Sequence, residues 1–271
     1  MTESNPYIQS LLTANPLREP LLRSLIESLH LPRGSQGADI GCGIGLQALL
    51  LAESVGPHGR VTGVDIAAEL LAYGERLAAE AGLSDRVDFR QSDAAHLPFA
   101  DDSLDWAWSA DCIGYPTGDL IPQLNELIRV VKPGGSILLL GWTGQSVLPG
   151  YPLLEARLNA GFSGYLPHLQ GKAPDQHFAR ASRWFQAAGL TEVEAQTFAG
   201  SAQAPLTPGV HAALTALFQM LWMPPTPAAA ESEDWGEMQR LCSPESPDFI
   251  LDQPGYYAFF TYSLFRGRVP D

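Results

Sequence analysis

The chain has 271 residues, 45% of them apolar, and 16 basic against 30 acidic side chains give a formal net charge of −14. That apolar content excludes a disordered chain and allows one large domain, or a domain carrying an insertion. A field of that sign repels phosphate backbones and anionic lipid surfaces, so neither a nucleic-acid partner nor a membrane partner is expected.

The first residues, MTESNPYIQS, lack the basic segment and apolar core of a signal peptide, and no apolar run reaches the length of a membrane span. A cytoplasmic location is the expectation. Residues 6–31 place Leu17, Leu21, Leu25 and Leu29 at helical spacing, which predicts one or two amphipathic helices within an amino-terminal cap, 1–33. From 38 to 140, strand-like and helix-like runs alternate, the pattern of parallel strands joined by covering helices. Strands are expected at 38–40, 61–65, 87–91, 104–109 and 136–141, with helices at 47–54, 67–81 and 120–131. The last helix is read as stopped by "KPGG", with Lys132 facing its carboxyl end.

After Gly141 the rhythm changes. Residues 142–171 are loop-rich around one helical piece, "PLLEARLNA"; 175–188 reads as a helix, 191–198 as a strand and 256–269 as a long aromatic strand. Between those strands, 207–253 holds two helical pieces separated by "MPPTPAAAES". The expected organisation is therefore a core of 34–206 with 254–271, and an insertion, 207–253, that forms a lid.

The most informative stretch is "ADIGCGIGLQALLLAE", an apolar run, a glycine-rich turn and the start of a helix. Such a turn lets a ligand approach the main chain, and the helix start offers free N–H groups and a partial positive charge. Its spacing is Gly41-x-Gly43-x-Gly45 with Leu46 where a dinucleotide pattern would place a third glycine, and Asp39 precedes it. Asp65 closes the next strand about twenty residues on, where a carboxylate can accept from a ribose diol. Asp65 is also placed to cap the helix that follows. Asp93 falls just after the third strand, at the carboxyl edge where open α/β sheets bind ligands.

Taken with "VVKPGG", these stretches closely resemble the class I S-adenosylmethionine-dependent methyltransferases, with a sub-pattern similar to the small-molecule enzymes of ubiquinone, menaquinone and sterol methylation. The resemblance covers 34–141 well and the rest loosely. It implies a Rossmann-like, doubly wound, three-layer α/β/α fold on a mostly parallel seven-stranded sheet with an antiparallel last strand, and S-adenosyl-L-methionine as cofactor. By the same resemblance Asp39, Gly41, Cys42, Gly43 and Gly45 line its methionine and ribose part. Asp65 holds the ribose hydroxyls, Ile66 packs on the adenine, Asp93 accepts from its exocyclic amine and the Ala94 main chain meets a ring nitrogen. Ser109 and Asp111 lie beside the sulfonium.

Methyl transfer from a sulfonium needs alignment more than a nucleophilic side chain. The expected acceptor is a small apolar or aromatic molecule, with Tyr115, Trp142, Tyr165 and Trp222 as pocket candidates, because aromatic faces attract a sulfonium and bury an apolar acceptor. Asp111, His168 and His177 are the candidates for a base. Cys42, Cys112 and Cys242 are scattered, so no disulfide framework and no metal site is expected. Nothing in the sequence sets an oligomeric state. Two other readings share these features: a non-catalytic cofactor-binding sensor or partner subunit, and a nicotinamide-dependent oxidoreductase, which Leu46 and Asp39 disfavour.

Overall fold

The computed structural model describes residues 5–115 and 120–271; the first four residues of the expected amino-terminal cap therefore lie outside the described residues. In chain order the elements are α1 (Pro6–Ser28), β1 (Gln36–Ile40), α2 (Leu46–Val55), β2 (Arg60–Asp65), α3 (Ala68–Glu80), β3 (Val87–Gln91), β4 (Leu104–Ala110) and α4 (Ile121–Val130). Then come β5 (Val131–Ser146), α5 (Pro152–Gly161), α6 (Leu166–Leu169), α7 (Ala181–Ala187), β6 (Thr191–Gln203), α8 (Pro208–Leu221), α9 (Glu233–Cys242) and β7 (Tyr257–Arg268). The chain divides into two compact units. Unit 1 comprises Met1–Leu21, Thr143–Gly171 and Ala199–Thr261; unit 2 comprises Leu22–Trp142, Lys172–Phe198 and Tyr262–Asp271.

Unit 2 contains part or all of every strand of a seven-stranded sheet, in the order β3-β2-β1-β4-β5-β7-β6. β1 pairs in parallel with β2 and β4, β2 with β3, and β4 with β5. The last strands are antiparallel: Thr191 Oγ1 donates to the Arg268 carbonyl while Thr197 meets Ser263, so one index rises as the other falls. The order reverses direction between β1 and β4. Because parallel crossovers are right-handed, that reversal sends α2 and α3 to one face and α4 to the other, and it opens a crevice at the carboxyl ends of β1 and β4. This is the Rossmann-like, doubly wound architecture.

The core follows from the strand sequences. β4, "LDWAWSA", buries Leu104, Trp106, Ala107 and Trp108, and β5 buries Ile137 to Leu140 in an unbroken run, as strands covered on both faces must. The two indoles bury their N–H groups with partners: Trp106 Nε1 donates to Ser35 Oγ at 2.9 Å and Trp108 Nε1 to Gln47 Oε1 at 3.0 Å. The second bond fixes the first turn of α2 against the sheet.

In unit 1, α8 and α9 correspond to the two helical pieces expected within 207–253. Thr207 and Ser232 cap them by accepting from the Val210 and Trp235 N–H groups. Leu214, Leu217, Phe218 and Leu221 form the buried face of α8. Glu155 is buried there at 5% exposure, satisfied by the N–H groups of Val147 (2.9 Å) and Leu148 (3.2 Å).

Four local expectations change. Residues 6–28 form one helix with Pro16 and Pro20 inside it, and its buried positions include Leu17, Leu22, Leu25 and Ile26, so Leu21 and Leu29 leave the stripe. "KPGG" does not separate helix from strand: β5 begins at Val131, Gly134 sits at φ 74° and the register with β4 shifts between Leu104 and Trp106, which makes the motif an irregularity within the strand. Lys132 Nζ pairs with Asp105 at 2.7 Å, so that carboxylate neutralises it. The expected helix 175–188 is two 3-10 turns followed by α7, broken at His177, whose φ of −74° and ψ of 137° are extended. No described helix is long and apolar enough to cross a membrane.

Candidate functional site

The glycine loop joins β1 to α2 at the sheet's carboxyl edge. The Gly41 and Cys42 N–H groups both donate to the Val64 carbonyl, at 2.8 and 3.0 Å, which ties the loop to β2. Gly41 and Gly45 sit at φ 75°, where an L side chain is strained. Space demands glycine at both as well: a Cβ on Gly41 would stand 2.2 Å from Cys112 Sγ, and one on Gly45 2.5 Å from the Phe89 ring.

Asp65 ends β2 with both carboxylate oxygens on the main chain. Oδ2 accepts from Gly43 N–H at 2.9 Å and Oδ1 from Ala67 N–H at 3.0 Å. It therefore does not cap α3, whose N-cap is Ala67 without a side-chain bond; it closes the turn one step earlier and orders the glycine loop. Each oxygen retains a second lone pair for a hydroxyl donor. Asp93, exposed, accepts from Ala95 N–H through Oδ1 at 2.8 Å. Gln91 Nε2 holds the Ile66 carbonyl at 2.9 Å, and the Ile66 side chain stands 68% exposed.

These residues line one cleft of 180 Å³, whose walls include Gly41, Asp65, Ile66, Asp93, Ala94 and Cys112. The structure thus brings together five of the ten residues that the sequence reading assigned to the cofactor. Asp39 lies beneath it, 2% exposed; the Ala48 N–H donates to its carboxyl, but Oδ2 has no partner. Burial first, then the charge of Asp65, pushes its carboxyl up to about 7, against the Ala48 bond.

Other residues are placed differently. The Cys42 thiol turns inward: a Cβ on Gly63 would lie 2.9 Å from its Sγ, and burial followed by the charges of Asp39 and Asp65 raises it above the usual thiol range. Ser109 is 1% exposed, with Oγ accepting from Ile113 N–H at 3.3 Å and bonded to the Cys112 thiol, so its side chain supports the loop after β4 and does not line the cleft. Asp111, at φ 50°, accepts from Trp142 N–H (2.9 Å) and from the Tyr262 hydroxyl (3.0 Å). It ties the residue after β4 to β5 and to the middle of β7, a poor arrangement for a free base.

Trp142 packs edge-on against Tyr262 at 5.5 Å, and Tyr115 edge-on against Phe178 at 5.5 Å. His177 caps a 3-10 turn, its Nδ1 accepting from Ala179 N–H at 3.2 Å. Tyr165, His168 and Trp222 belong to unit 1. There Trp222 is buried, its Nε1 donates to Asn159 Oδ1 at 2.9 Å and its ring stacks on Phe218 at 6.2 Å; His168 is exposed.

Sequence reasoning missed Cys112 and Tyr262. The Cys112 thiol is pushed up to about 11, first by desolvation against the cleft wall and then by Asp65 and Asp39, so it is a weak nucleophile. No group of three or more His, Cys, Asp or Glu that could hold a metal occurs among the described residues.

A glycine cradle at the switch point of a doubly wound sheet, with two downstream carboxylates on one wall, defines a nucleoside-type cofactor site. Residues 38–135 match the family model of a methyltransferase domain. The chain is 30% identical over 196 residues to a demethylmenaquinone methyltransferase of Desulfitobacterium hafniense, covering 66% of this chain and 74% of that one. It is 27% identical over 197 residues to the enzyme of the same name from Halalkalibacterium halodurans, covering 67% and 78%. The crystal structure of the YcgJ protein from Bacillus subtilis superposes with a TM-score of 0.56 at 20% identity, covering 92% of this chain and 98% of that one, a likeness of fold. The chain belongs to the class I S-adenosylmethionine-dependent methyltransferases. It is an enzyme whose cofactor is S-adenosyl-L-methionine.

Proposed function

We propose that the cleft at the carboxyl ends of β1 and β2 holds the adenosyl part of S-adenosylmethionine and that the methyl group goes to a small, largely apolar or aromatic acceptor. The observation that carries this is the single wall formed by Gly41, Asp65, Ile66, Asp93 and Ala94. Its chemistry fits the group. The Asp65 oxygens keep lone pairs for two ribose hydroxyls, and Asp93 keeps an oxygen for an amine donor. Ile66, with its side chain largely exposed on that wall, is a shelf for a flat base. Asp39 beneath the loop contributes a buried carboxyl with one oxygen unmet, a favourable neighbour for a cation.

When bound, the cofactor supplies an activated methyl group for in-line displacement. The chain's own part is to align acceptor and methyl, which can account for about 7 to 11 kcal/mol of a barrier. Asp111 serves position in this reading, since its oxygens hold the Trp142 N–H and Tyr262 hydroxyl and so fix the loop after β4 against β5 and β7. Tyr115 and Trp142 offer aromatic edges for the acceptor. Unit 1, with the helices of 207–253 and the aromatic residues Tyr165 and Trp222, is the candidate for acceptor selection in this reading. The small-molecule acceptor is supported by the relatives, which are named for demethylmenaquinone.

The test has two arms. Calorimetric titration of S-adenosylhomocysteine into wild type and Asp65→Ala should show at least about a hundredfold loss in the variant, the worth of two hydrogen bonds to a charged group; unchanged affinity would remove the ribose assignment. Transfer of labelled methyl to a panel of hydroxylated naphthalenes and quinols should give turnover, whereas methylation of a polar macromolecule alone would overturn the acceptor class.

A further inference from the structure

We propose that unit 2 carries a second binding site, for a small zwitterion with an aliphatic body such as a branched-chain α-amino acid, in a cleft formed by the end of α1, the loop after it and the last turns of α2. This cleft of 560 Å³ shares no lining residue with the cleft of the glycine loop. Its floor is apolar: Ile26, Leu31 and Leu50 line it and are each 7% exposed or less.

The charges around that floor divide by whether they are already matched. Arg23 and Glu53 form an ion pair, so they cancel each other at one wall. Glu27 and Arg33 also line the cleft, and neither side chain makes a hydrogen bond or ion pair among the described residues. They stand beyond ion-pair reach of one another, one negative and one positive. A ligand carrying a carboxylate and an ammonium on one carbon, set between them, would satisfy both, where a simple anion or cation satisfies one.

Two details place the recognising groups in advance. The Arg33 guanidinium lies against Gly56, the C-cap of α2, where a Cβ would stand 2.7 Å from Nη2. The partial negative charge of that helix end holds a cation there. His30, at φ 51° just beyond α1, has Nδ1 2.7 Å from the Ser28 carbonyl. A carbonyl only accepts, so Nδ1 carries the proton and Nε2 of the neutral ring is left as an acceptor. An ammonium needs several acceptors, and Glu27 on the last turn of α1 with His30 just beyond it supplies them.

L-Leucine is the probe, titrated calorimetrically with S-adenosylhomocysteine at saturation, because the cofactor's own amino-acid end would otherwise offer leucine a competing site. Binding with the site intact is expected in the millimolar range. Loss of either charge, in 4-methylpentanoate or in 3-methylbutylamine, should weaken it about tenfold, the worth of one charge-assisted contact. Glu27→Gln and Arg33→Ala should each weaken leucine by a similar factor, leave S-adenosylhomocysteine affinity within about twofold and preserve the circular dichroism spectrum, since both residues are exposed. Three results would each overturn the proposal: no heat at tens of millimolar leucine, affinity equal in the variants and wild type, or displacement of leucine by S-adenosylhomocysteine. None of them bears on the methyl-transfer reading, which rests on the other cleft.

Discussion

Replacing Asp39 with asparagine removes a carboxyl that the fold buries beneath the glycine loop. In the native state its carboxyl is raised from 3.8 to about 7, first by burial and then by Asp65. The unfolded chain releases that proton near the lower value, so between the two the native state binds more protons than the unfolded one. Stability therefore falls as pH rises through that window and is level on either side. The interval corresponds to about 4 kcal/mol. Asparagine does not titrate, so the difference between wild type and Asp39→Asn should carry the whole of this slope while other groups cancel. At pH 8 the variant gains that amount less about 1 to 3 kcal/mol, because its amide N–H₂ replaces an Oδ2 that already lacks a partner. Near pH 4.5 only about 1 kcal/mol of that amount has been lost from wild type, so the amide cost offsets it and the variant's advantage should vanish. Urea unfolding followed by circular dichroism at pH 4.5, 6 and 8 measures the difference. A difference that stays constant across the window, or one that grows in favour of wild type as pH rises, would refute the reasoning.

Three more outcomes follow from the same geometry. Ile66→Ala should leave the urea midpoint unchanged, because the side chain is 68% exposed, yet weaken S-adenosylhomocysteine several-fold; a loss of stability without a loss of affinity would make Ile66 a packing residue. Gly45→Ala combines a φ of 75° with a Cβ 2.5 Å from the Phe89 ring, and should cost about 2 to 4 kcal/mol by denaturation, with Gly82→Ala, at a similar φ but with nothing within 4 Å, as the milder control. Tyr262→Phe leaves Asp111 Oδ2 without its hydroxyl donor and should cost about 1 to 3 kcal/mol by urea unfolding; an unaltered midpoint would show that the bond does not hold β7 to the loop after β4.

The sheet was legible where the local pattern and the tertiary role agree. The strand at 87–91 was read at its full length, and the helices after the glycine loop and after Asp65 were placed within a residue or two, because apolar periodicity and the positions of glycine report burial directly. The glycine loop, Asp65, Ile66, Asp93 and Ala94 were legible because the topology delivers consecutive strand ends to one edge. What escaped depends on contacts distant in sequence. Cys112 enters the cleft by packing on Gly41, and Tyr262 reaches Asp111 across 151 positions, neither of which leaves a local signature. The stripe on α1 was misassigned because Leu21 and Leu22 are equivalent in composition, and only packing selects the second. Ser109 and Cys42 have the right neighbours in sequence but turn their side chains into the protein.

The most direct test is a crystal structure of the chain grown with S-adenosylhomocysteine. The account predicts ribose hydroxyls within hydrogen-bond distance of both Asp65 oxygens, with the adenine lying on Ile66 and its amine toward Asp93. Nucleoside density elsewhere on the molecule, or an Asp65 carboxylate still bonded only to Gly43 and Ala67, would contradict it.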